Sequence, residues 1–236
     1  MLVLTAGTVL VVGTVSGFAP EVPARSGPVP AAAGALAGQS SSSDVCSAAY
    51  YLQGDGRLGP NTLPTTGVLA GILHGYRRLG GMTVAAFLSQ YWQASGATGG
   101  WSSPPFQGFA IGKNGRPQKS VLPLQPGQDI DRFGGEHGTF LSPQGVPFAR
   151  RALPPQSLDG TPPQACDYHD YAVIKRFRVE AGPAAAWFAQ PGHGVQYELD
   201  PTLIPGAPRT LDITWLMNHG YLAPVSPFAP ARSVTR

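Results

Sequence analysis

Turn-forming residues set the first limit on this chain. It carries 31 glycines and 25 prolines in 236 residues, nearly a quarter of the sequence. Proline removes a backbone donor and fixes φ, and glycine weakens the interior of a helix or strand. A helical bundle is therefore excluded, and the expectation is many short elements joined by loops. A hydrophobic content of 42% still permits a real core. The formal charge is +3 and no Lys/Arg run occurs, so no nucleic-acid footprint is expected.

The chain divides by composition. Residues 1–24 open on an apolar run, MLVLTAGTVLVVGTVSGFAP, too short and too broken by Gly and Thr for a membrane span. It has the character of a secretory signal, although no Lys or Arg precedes it. The expected location is secreted, extracellular or at the cell surface. Residues 25–45 are rich in Ala, Pro, Gly and Ser and read as a flexible linker. Cys46 and Cys166 are the only cysteines. In an exported chain they are expected to pair, closing a loop of about 120 residues.

Residues 46–126 read as a helical region. Thr66 is positioned to cap a helix presenting Val68, Leu69, Ile72, Leu73 and Tyr76, and Thr83 to cap one presenting Val84, Phe87, Leu88, Tyr91 and Trp92. Asn114-Gly115 signals a hairpin with two short strands within 109–126. Further on, Tyr171 to Val179 reads as one strand, and Val195 to Leu199 as another. Thr210 is placed to cap a last helix, Leu211 to Asn218, ahead of a Pro/Ala-rich tail over 224–236. Helices first and strands afterwards give an α+β fold with a small mixed or antiparallel sheet.

One stretch, Ile130 to Pro155, concentrates unusual chemistry. It holds Arg132, Arg150 and Arg151 with Phe133, Phe140 and Phe148, in a chain only 12% charged. Guanidinium forks suit paired phosphate oxygens. Surface ion pairs on a hairpin would account for the same residues. Gln196 and Glu198 lie two apart on a strand and share a face, as in an ordinary polar strand face or as in a ribose-holding pair.

Six ordered blocks sharpen this: Asp131-Arg-Phe-Gly134, Gly138-x-Phe-Leu-Ser-Pro143, Pro147-Phe148, Arg151-Ala-Leu-Pro-Pro155, Trp187-Phe-x-Gln-Pro-Gly192 and Gly194-Val-Gln-Tyr197. Together they resemble the tuberculosis necrotizing toxin domain. Gly54-Asp-Gly-Arg-Leu-Gly-Pro60 and the segment Gly81 to Trp92 resemble the amino-terminal part of its secreted fungal NAD glycohydrolase branch. The resemblance covers about residues 46–222. It implies a catalytic region over 127–223 behind a thumb-like region over 46–126. It also implies hydrolysis of NAD or NADP to nicotinamide and ADP-ribose, with the dinucleotide as substrate and no cofactor required. Arg132, Arg151 and Gln196 match family residues needed for activity, with Arg150 as the alternative to Arg151. His169 fits the neighbourhood of a family histidine. Phe140, Trp187, Phe188 and Tyr197 are further candidates for substrate contact, and Glu198 for charge near the ribose. The resemblance leaves open a calcium ion, a homodimer and an inhibitor protein; the acid-poor carboxyl-terminal region offers no convincing oxygen cage. Two readings compete: a mono-ADP-ribosyltransferase acting on a protein acceptor, and an inactive NAD-binding secreted module.

Overall fold

The computed structural model describes residues 45–47, 49–94, 99–160 and 166–225. The stretch read as a signal and nearly all of that read as a linker lie outside these residues, as does the chain beyond Val225.

A seven-stranded antiparallel sheet dominates. Its strands are β3 (Ser120–Leu124), β4 (Asp129–Phe133), β5 (Phe140–Pro143), β6 (Tyr168–Val173), β7 (Phe177–Pro183), β8 (Val195–Glu198) and β9 (Leu222–Val225), in the order β3-β7-β8-β5-β4-β6-β9. Two short strands, β1 (Trp92–Gln93) and β2 (Gly100–Trp101), pair separately. β5 joins the two halves of the large sheet, pairing with β4 on one side and β8 on the other.

The run read as one strand over 171–179 is two strands, β6 and β7, joined by a corner at Ile174-Lys-Arg176. At the corner the backbone leaves its ladder, and the N–H groups of Ile174 and Lys175 turn to the carbonyl of Tyr221 at 2.8 and 3.3 Å. Tyr171, Val173, Phe177 and Val179 are all buried. The corner occupies one alternation, so the apolar period carries through it and hides the bend. Strands that switch sheet halves through a bend are a standard way to close a core.

These side chains pack with Ile130, Leu141, Tyr197 and Leu199 against Leu211, Ile213 and Leu216. The last two lie on α4 (Ile213–Asn218). That helix is capped by Asp212, whose carboxylate accepts from the Trp215 N–H, and not by Thr210. Each fully buried Leu, Ile, Val or Phe contributes about 1.5–3 kcal/mol.

The amino-terminal region is less helical than its periodicity predicts. α1 (Gly67–Ile72) and α2 (Val84–Tyr91) are short, and turns fill the rest. Thr83 caps α2 by accepting from the Ala86 N–H, whereas Thr66 makes no capping bond. Leu69, Ile72 and Leu73 pack against Phe133, Phe148, Leu158 and Tyr168. Phe87 and Tyr91 pack against Phe188, with Trp101 and Trp187 alongside. The Asn114-Gly115 turn forms, but its arms meet only at one bridge, Ile111 to Pro117. β3 instead pairs with β7, so the sheet begins before residue 127. The expected disulfide is present: Cys46 and Cys166 are bonded, both fully buried, with Cα atoms 4.9 Å apart. Among the described residues no helix is long and apolar enough to cross a membrane.

Candidate active site

A cleft of about 390 Å³ opens where β4, β5 and β8 meet the amino-terminal loops. Arg132, Arg151 and Gln196, brought from three separate segments, all line it.

Alternation along β4 sends Asp131 and Phe133 to one face and Arg132 to the other. Arg132 sits near the strand end, where its guanidinium turns over Gly134 and Phe140. Its Nε donates to the Gly134 carbonyl at 2.8 Å and one terminal nitrogen to the Phe140 carbonyl at 3.1 Å. The residue is only 9% exposed. Burial lowers its pKa, opposed by the nearby Tyr171, Asp167 and Glu136. Among the described residues it forms no ion pair. The fit is close on the loop side, since a Cβ at Gly138 would lie 2.2 Å from the guanidinium.

Arg151 is held differently. It ends α3 (Phe148–Arg151), a single helical turn entered from Pro147. Its terminal nitrogens reach the two Asp131 oxygens at 2.5 and 2.9 Å, and its Nε donates to the Val146 carbonyl at 2.9 Å. The Tyr168 hydroxyl and the Gly145 N–H complete the shell of the fully buried Asp131. The guanidinium also lies 5.2 Å from the centre of the Phe133 ring. Arg151 is therefore neutralised and fixed, while Arg132 carries charge without a carboxylate partner among the described residues.

Gln196 projects from β8 opposite Gly182 of β7. Its Nε2 donates to the Gln107 carbonyl at 2.8 Å, across the cleft mouth. Phe140 and Phe188 supply aromatic walls, the first 37% exposed and the second buried. Trp101 adds a third ring, fixed by its Nε1 donating to Gln156 Oε1 at 2.9 Å.

The remaining sequence candidates do not line this cleft. Arg150 is exposed beside Arg151, and of the two only Arg151 lines the cleft. His169 lies opposite Arg132 on β6, but its ring is engaged by Asp167 at 3.1 Å and approached by Glu136 at 3.5 Å. Trp187 belongs to the aromatic cluster around α2, its Nε1 donating to the Ser102 carbonyl at 2.6 Å. Tyr197 is a core residue, because it alternates with Gln196 and faces the other side of the sheet. Glu198 stands across from Glu180, with Lys119 bridging the two carboxylates. Burial raises the pKa of Glu198, against the pull of Lys119. Among the described residues no group of three or more His, Cys, Asp or Glu is placed to hold a metal ion.

Among the lining residues that the sequence reading did not single out are Trp101, Gln107 and Gly108. They come from a loop with no periodicity to mark it. Asp131 was visible only as part of a motif, although alternation denies it Arg132 as a partner and so demands a cation elsewhere.

Comparison with known proteins agrees with the ordered motifs. Residues 123–225 match the family model described as Tuberculosis necrotizing toxin. The chain is 42% identical over 150 residues to a conidial surface nicotinamide adenine dinucleotide glycohydrolase of Aspergillus fumigatus, an alignment covering 62% of this chain. The match spans 63% of that relative's length. A solved structure of tuberculosis necrotizing toxin complexed with its immunity factor is similar at 20% identity and a TM-score of 0.45, covering 60% of this chain and 71% of that one. The segment that carries Arg132, Arg151 and Gln196 thus matches the tuberculosis necrotizing toxin family, in a chain similar to a fungal NAD glycohydrolase.

Proposed function

We propose that this chain is an NAD(P) glycohydrolase, exported to the cell surface or beyond, that cleaves the nicotinamide–ribose bond to release nicotinamide and ADP-ribose. The observation that carries this reading is the convergence of Arg132, Arg151 and Gln196 on one cleft. The name of the fungal relative supports the same reading.

Bond cleavage passes through an oxocarbenium-like state in which the pyridinium leaving group becomes neutral. No strong nucleophile is needed. The site must fix the dinucleotide, hold the ribose and present water. Arg132 supplies a positive charge for the pyrophosphate that is largely buried and, among the described residues, without an ion-pair partner. Arg151, already tied to Asp131, shapes the wall and offers its remaining N–H groups. Gln196 contacts the nicotinamide ribose or the attacking water. Phe140, Phe188 and Trp101 offer ring faces. Transfer of ADP-ribose to a protein would be better served by a carboxylate beside Gln196, and Glu198 is held by Lys119 outside the cleft.

Purified protein incubated with NAD or NADP is expected to release nicotinamide and the matching ADP-ribose product. Arg132→Ala and Gln196→Ala should each abolish most of the activity. Intact NAD after prolonged incubation with folded wild-type protein would overturn the reading.

A further inference from the structure

The residues that hold Gln196 are themselves unusual. Phe106, Gln107 and Gly108 form a 3-10 turn in which all three have positive φ, at 53°, 57° and 77°. Only glycine adopts such values freely, and two successive side-chain-bearing residues there store strain that the surroundings must hold in place. Four of the bonds that pin this loop bear on the site. The Trp187 indole donates to the Ser102 carbonyl, and the Trp101 indole to Gln156 Oε1. The Ala185 N–H donates to the Gly108 carbonyl at 2.7 Å. The fourth is the Gln196 carboxamide on the Gln107 carbonyl.

A backbone carbonyl can only accept, so the amide end that meets it must be the NH₂. The carboxamide lies close beside the turn, with its oxygen and nitrogen 3.6 and 3.7 Å from where a Cβ on Gly108 would stand. The bond to the Gln107 carbonyl makes its two ends unequal. We propose that the strained 106–108 turn is a positioning element that locks the Gln196 amide in one orientation, so that Oε1 faces the cleft as an acceptor for an O–H donor, either a ribose hydroxyl or the attacking water. This rests on the NAD glycohydrolase reading and deepens it. Gln196 then acts as an acceptor, and Gln107 acts through it by way of its main chain.

Gln196→Glu tests the orientation. An ionised carboxylate repels the Gln107 carbonyl, whereas a protonated acid reproduces the amide, with O–H to the carbonyl and C=O to the cleft. Charged groups around this position are Arg132 and Arg151 across the cleft and Asp131 behind Arg151. Lys119, Glu180 and Glu198 lie two residues along the sheet. Dividing each rate by the wild-type rate at the same pH removes their contribution. The relative kcat of Gln196→Glu is expected to rise about tenfold for each pH unit of acidification above its carboxyl pKa. Gln196→Ala should show no such rise.

Two results overturn the proposal while wild-type protein cleaves NAD: Gln196→Glu that never exceeds Gln196→Ala at any pH, or Gln196→Glu that still matches wild type at pH values above its carboxyl pKa. Gln107→Pro is the second variant, because its ring fixes φ near −65° and the turn cannot form. Its kcat should fall about 100-fold with a smaller change in KM. An unchanged kcat in Gln107→Pro also overturns the proposal. Wild-type protein that leaves NAD intact is a different result, and it removes the functional reading itself.

Discussion

Arg151 and Asp131 meet in a two-pronged pair, at 2.5 and 2.9 Å, with Asp131 fully buried and Arg151 at 7% exposure. Removing one partner of a buried pair leaves an uncompensated charge, at roughly 3–5 kcal/mol. Asp131→Ala is therefore expected to lower stability in urea unfolding by about that amount. Arg132 has no such partner among the described residues. Arg132→Ala should accordingly shift the unfolding midpoint less than Asp131→Ala does, while abolishing nicotinamide release. Equal destabilisation by the two substitutions would contradict the division of labour between the arginines.

Gly138 gives a sharper probe of the same guanidinium. A Cβ there would stand 2.2 Å from one nitrogen of Arg132 and 2.3 Å from the other. Gly138→Ala must displace the head group, and a shift of about 1 Å can cost about 100-fold in rate. kcat/KM for NAD is expected to fall on that scale in a protein that still melts cooperatively.

Two carboxyls, buried Asp170 and partly buried Asp159, set a pH dependence of stability. Burial pushes Asp170 to about 6 and Asp159 to about 7. The native form of each holds its proton more tightly than the unfolded chain does. Their contribution is thus fully present below the ordinary aspartate pKa and is lost as pH rises through 6 and 7. The melting temperature should rise as pH falls from 8 to 5. Asp170→Asn, which keeps an acceptor for the Gln144 side chain, should flatten the part of that rise near pH 6. Asp55 and Asp212 are shifted downward, by the Arg57 side chain and by the Trp215 N–H respectively, and act only at more acidic pH.

The disulfide should matter chiefly through the unfolded chain. Its partners are 120 residues apart. In the loop-entropy account such a crosslink is worth about 4–5 kcal/mol. The double substitution Cys46→Ser and Cys166→Ser is expected to lower unfolding free energy on that order, read from denaturant curves of the two proteins.

Which features could be read from residues alone follows from their range. Thr83 announces its helix because capping is local. The Asn114-Gly115 turn is likewise local and present, whereas its expected partner strand is replaced by β7, some sixty residues onward. Tyr171, Val173, Phe177 and Val179 gave the right buried face and the wrong element count, because alternation reports a face and not a bend. The motif arginines and Gln196 were visible as types at fixed positions. That Arg151 is neutralised while Arg132 is not depends on which strand face meets which helix turn. Gln107 carried no signal, since it contributes a carbonyl that every residue has.

The corner at Ile174-Lys-Arg176 has a mechanical consequence. β6 flanks the strand bearing Arg132, and β7 flanks the strand bearing Gln196. A single uninterrupted length of backbone therefore braces both the strand of the cation and the strand of the amide, while β5 between them sets their spacing, like a gauge block held in the frame of a caliper. Under the proposed function a dinucleotide must match that gauge, and adjustment falls to the loops opposite.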